Sequence, residues 1–61
     1  MNSREIIKRL QREGWQLVRS RGSHRQYKHA AKDGLVTVPH PKSNIPLGTL
    51  RTIDKQAGWE K

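Results

Sequence analysis

A histidine flanked by arginines, directly after a glycine-serine pair, is the stretch of this chain best equipped for chemistry: Arg21-Gly22-Ser23-His24-Arg25-Gln26-Tyr27-Lys28-His29. An imidazole has an unperturbed pKa of about 6.5, so it exchanges a proton at neutral pH without special tuning. RNA carries its own nucleophile, the 2′-hydroxyl beside the scissile phosphate. Cleavage then needs a positioned base, a proton donor and cations that stabilise the phosphorane, with no metal. His24 suits the base, and Arg21, Arg25, Lys28 and Lys42 are candidates for charge stabilisation and RNA contact. Gly22 lets backbone approach a phosphate closely, and the amide and hydroxyl of Ser23 can bond its oxygens. The plain alternative is a β-turn followed by an exposed histidine.

The other two histidines are weaker candidates. Strand alternation puts His29 on the same face as Tyr27, the side of a packed ring, and His40 lies in a prolyl loop. The spacing of residues 24, 29 and 40 matches no zinc-ligand pattern, and alternation splits the first two across a sheet. No carboxylate cluster for Mg²⁺, glycine-rich phosphate loop followed by lysine, or nucleophile elbow is present. Neither a metal nor any other cofactor is expected.

The elements that position His24 belong to a chain of 61 residues, expected to form a single domain over 1–61 with a thin core. It has no cysteine, which excludes disulfides and thiolate zinc sites and fits a reducing, cytoplasmic setting. No apolar run approaches the roughly 20 residues of a membrane span, and no signal-peptide apolar region opens the chain. Thirteen Lys and Arg against five Asp and Glu give a net charge of +8, the electrostatic footprint of a polyanion binder, most often of nucleic acid.

Asn2 or Ser3 can cap a helix, with Glu5 completing a capping box and Gly14 supplying the stop, so residues 3–13 are predicted helical. Ile6, Ile7 and Leu10 form its apolar face, and Arg4, Lys8 and Arg12 its outer basic stripe. Residues 15–19 are rich in β-formers, with Trp15 and Leu17 on one face. The turn at 21–23 returns the chain as a strand over 24–29. In it Arg25, Tyr27 and His29 look inward, while His24, Gln26 and Lys28 look outward. Residues 30–34 are predicted as a loop and 35–38 as the clearest strand, ended by Pro39. A loop over 40–44 leads to a second helix that starts at Pro46. Its stripe is Leu47, Leu50, Ile53 and Ala57, and Gly58 ends it.

The predicted fold is therefore α+β, in the order α-β-β-β-α, with a three-stranded antiparallel sheet and two helices on one face. This order, with the length and charge, resembles the double-stranded-RNA-binding domain. That domain's lysine cluster is missing from the second helix, which opens Pro46-Leu47-Gly48-Thr49.

A more specific resemblance rests on several stretches in order. They are Gly14-Trp15, Gly22-Ser23-His24 followed by Tyr27-Lys28-His29, Val36-Thr37-Val38-Pro39-His40, and Gly48-Thr49-Leu50-Arg51 with Gln56-Ala57-Gly58. Together they span nearly the whole chain and resemble the HicA toxins. The resemblance implies a small mRNA interferase with the double-stranded-RNA-binding-like fold, neutralised by a cognate HicB antitoxin; on physical grounds a strongly basic surface with an exposed histidine is most simply silenced by an acidic partner, or one that covers the His24 face. It places the family's catalytic histidine at His24 and gives Gly22 a structural part in presenting that ring. Two other readings compete: a non-catalytic RNA-binding module, and a DNA-binding regulator. The latter is disfavoured because a sheet, not a helix-turn-helix partner, precedes the second helix.

Overall fold

The computed structural model of the protein describes residues 1–60. Its first helix, α1 (Ser3–Arg12), begins where the Asn2 side chain accepts the Glu5 N–H at 2.9 Å. It ends as Gly14 takes a φ of +98° and the Trp15 N–H turns back to the Leu10 carbonyl at 2.9 Å. Ile6 and Leu10 are buried, and Arg4, Lys8 and Arg12 are exposed, as the helical period requires.

Three strands follow, β1 (Gln16–Arg21), β2 (His24–His29) and β3 (Lys32–Pro39), in the spatial order β1-β2-β3 and antiparallel throughout. The expected order of elements and the α+β class hold. Two boundaries differ from expectation. Trp15 precedes β1 and is buried, whereas Leu17 is 45% exposed, because β1 is the sheet's free edge and both helices pack against β3. The loop expected at 30–34 shrinks to Ala30 and Ala31. Gly34, at φ +82°, lies inside β3 where a shift of register between Tyr27 and His29 absorbs the extra residues.

The last helix, α2 (Leu47–Ala57), ends on Gly58 in the left-handed region at φ +77°. Its expected apolar stripe is right at Ile53 and Ala57 but not at Leu47, which is 63% exposed in the first turn. Ile45, one residue before Pro46, is buried in its stead. The core lies between the helices and one face of the sheet: Ile6, Leu10, Trp15, Tyr27, Val36, Val38, Ile45, Ile53 and Ala57. Among the described residues no helix is long and apolar enough to cross a membrane.

Beyond α2, Trp59 ties the two helices together. Its Nε1–H donates to Glu13 Oε1 at 2.7 Å, Arg9 Nε–H donates to Glu13 Oε2 at 3.1 Å, and the Arg9 guanidinium lies 3.9 Å over the indole. The Trp59 bond above all, then the Arg9 hydrogen bond and charge, hold the Glu13 carboxyl below its ordinary range, against the desolvation that pushes it up. A depressed folded-state pKa stabilises the fold above the unfolded value, about 4.3 for glutamate, and the contribution is lost as pH falls through the folded value. Melting temperatures measured from pH 7 down to pH 3 should therefore fall less steeply in Glu13→Gln than in the wild type. Parallel curves would show that the clasp carries no proton linkage.

Candidate active site

Hairpin geometry puts His24 first in β2, directly after the two-residue turn Gly22-Ser23. Gly22 has φ +56° and no other residue of the turn has positive φ, the pattern of a type II′ turn, whose twist matches the flanking strands. Nothing lies within 4 Å of the place a Gly22 Cβ would occupy, so the demand for glycine is conformational and not steric. Gly22→Ala should destabilise the fold by about 1–3 kcal/mol, the cost of holding an L-residue in a sparsely populated positive-φ region. Urea denaturation checks this.

His24 pairs with Arg21 on β1 and Pro39 on β3, and Gln26 pairs with Arg19 and Thr37. Directly paired residues share a face, so Arg19, Arg21, His24, Gln26 and Thr37 meet on the side of the sheet away from the helices. They line a shallow concavity of about 330 Å³. Among the described residues the His24 ring has no hydrogen-bond partner, and it is exposed. Both arginines are exposed as well. The arrangement is a free imidazole beside two guanidinium groups on an open face, fit to receive a phosphate and to move a proton next to it.

Arg19 was not expected. Strict alternation from an inward Leu17 would send Arg19 and Arg21 inward too. A bulge changes this: Leu17 pairs with Tyr27 on the helix side, Arg19 pairs with Gln26 on the open side, and Val18 is the extra residue between them.

The structure separates the other expected site residues from His24. Arg25 pairs with Ser20 and Val38 on the helix side of the sheet, where its Nε is buried without a partner. Alternation itself sends it there, and it does not share the His24 concavity. Lys28 is on the open face but four residues along the strand, roughly 13 Å away at 3.3 Å per residue. Lys42 lies in the loop after β3, beside Asn2, Ser3, Arg4 and His40 at the start of α1. The Ser23 carbonyl accepts the His40 N–H at 2.6 Å.

The remaining histidines are pinned. His29 Nδ1 accepts the Ala31 N–H at 3.0 Å, so Nε2 carries the proton and donates to the Glu13 carbonyl at 2.9 Å. Its ring stands edge-on to Trp15, with centroids 5.3 Å apart. A Cβ on Gly14 would lie 3.0 Å from His29 Nε2, so that glycine is required both by its φ and by this close approach. His40 is engaged with Ser3, Nδ1 to Oγ at 2.7 Å. Among the described residues no three His, Cys, Asp or Glu side chains converge as metal ligands would.

Residues 3–59 match the family model described as the HicA toxin of bacterial toxin-antitoxin systems. No curated protein matches the chain.

Proposed function

The chain belongs to the HicA family of toxins, and we propose that it is a metal-independent endoribonuclease that stops translation by cutting mRNA, with His24 as general acid-base. The observation that carries this reading is the His24 ring, unpartnered among the described residues, beside Arg19 and Arg21 on an open, cationic face. A phosphate seated on the two guanidinium groups brings the adjacent ribose against the imidazole. His24 takes the 2′-hydroxyl proton and the 2′-oxygen attacks phosphorus. The bond to the 5′-oxygen breaks, that oxygen takes a proton from water, and the hydroxide left behind takes back the proton held on His24. The products are a 2′,3′-cyclic phosphate and a 5′-hydroxyl. Arg19 and Arg21 bear the charge that grows on the phosphorane oxygens.

A toxin of this family has a cognate antitoxin. The +8 charge and the open position of His24 favour an acidic partner that covers the concavity.

Incubation of the purified protein with single-stranded RNA in EDTA tests the reading. Fragments ending in 2′,3′-cyclic phosphate are expected. Intact RNA at high protein concentration would leave a non-catalytic RNA-binding module in its place.

A further inference from the structure

The His24 rung is the last of the β2–β3 ladder before a turn, and such terminal rungs open most easily. Its ring makes no bond of its own among the described residues, so its aim depends on the backbone beneath it. That backbone is paired with Arg21 on β1, and on the β3 side it is steadied by a chain of bonds running to the far side of the sheet. The His40 N–H donates to the Ser23 carbonyl at 2.6 Å, adding one rung beyond His24–Pro39. The His40 ring in turn meets Ser3, which is 2% exposed.

Ser3 is a junction. Its N–H donates to the Lys42 carbonyl at 2.9 Å, and its Oγ accepts the Lys42 N–H at 2.9 Å. The same oxygen meets His40 Nδ1 at 2.7 Å, so one hydroxyl serves both the Lys42 amide and the His40 ring. The Ile45 N–H donates to the Met1 carbonyl at 3.1 Å, so the segment over 40–45 is stapled to the start of α1 at both ends. His40 lines the hollow with Asn2, Ser3 and Arg4, whereas His24 opens onto the other face, so the two rings do not share a site.

We propose that Ser3 and His40 are positioning residues for catalysis. Through the His40 amide they fix the rung that aims His24, and neither touches RNA. This rests on the nuclease reading of His24. A displacement of about 1 Å in a reacting group can lower a rate by 10²-fold, so a frayed rung costs turnover, not binding.

Ser3→Ala and His40→Leu remove the ring-hydroxyl bond with little loss of volume, and His40→Asn keeps an acceptor where Nδ1 stood. Cleavage kinetics on a short RNA should give kcat lowered by about 10–100-fold in Ser3→Ala and His40→Leu, with KM unchanged and kcat largely restored in His40→Asn. Unchanged kcat in the first two, or no rescue by asparagine, overturns the proposal. Should a variant fail to fold, amide hydrogen exchange of the wild type decides. The His40 amide should be protected like that of Val38, and exchange as fast as that of Ser43 overturns the brace. Wild-type protein that leaves RNA intact would instead reject the nuclease reading, while the exchange measurement still reports on the brace.

Discussion

His24→Ala is expected to lower the cleavage rate constant by about 10²–10⁴-fold, the usual worth of a general base, with melting temperature and RNA affinity close to wild type. The ring is exposed, makes no hydrogen bond among the described residues and belongs to no part of the core. Its loss therefore removes none of the features that make a substitution costly, and surface changes of that kind stay within about 0.5 kcal/mol. In the proposed site the phosphate-binding charge belongs to Arg19 and Arg21, which the substitution leaves in place. His29→Ala is the informative contrast. It breaks two hydrogen bonds and the edge-on contact with Trp15, so any activity it loses should come with a clear fall in melting temperature. Single-turnover cleavage and thermal melts on both variants test the pair. Cleavage by His24→Ala at the wild-type rate would assign the proton transfer to another group.

The contrast follows from how the three histidines are held, and the sequence revealed this unevenly. Alternation along residues 24–29 was enough to point His24 away from Tyr27, because β2 is the central strand and pairs regularly with β3 over its first four residues. The order of elements was legible for a similar reason: Gly14, Gly58 and the apolar spacing within each helix report local physics. The position of Arg19 was not legible. It depends on a bulge at Val18, a residue whose type gives no sign of being skipped, and a single skipped residue exchanges the faces of everything beyond it. The place of Lys42 was not legible either, because a prolyl loop has no period. Where it goes is decided by its bonds to Ser3, 39 positions away in the chain. The basic stripe of α1 also stays apart from His24, since the helices cover the opposite face of the sheet. Its arginines and lysine are a solvated helix face, and among the described residues the concavity draws its arginine charge from β1.

That division of charge makes the second large effect predictable. The double variant Arg19→Gln with Arg21→Gln should lower kcat/KM by about 10²–10³-fold, the cost of losing donors aimed at developing charge in a preorganised site. The loss has a ground-state part that salt can read out. Each phosphate neutralised on a single strand contributes about −0.7 to the slope of log K against log salt, so loss of two contacts should flatten the slope by about 1.4. Arg25→Gln is the matched control. It removes the same charge from the same hairpin, but from the helix side of the sheet. If net charge governed binding, Arg25→Gln would flatten the slope about as much as either arginine taken singly. If the concavity governs it, the Arg25 variant keeps the wild-type slope and the double variant does not. Binding titrations of a non-cleaved RNA analogue between 50 mM and 200 mM salt, the range over which such slopes are commonly resolved, separate the two. Equal slopes in the wild type and both variants would remove Arg19 and Arg21 from the site. Neither arginine is buried, and relieving their mutual repulsion offsets any small packing loss, so the double variant should melt no lower than the wild type.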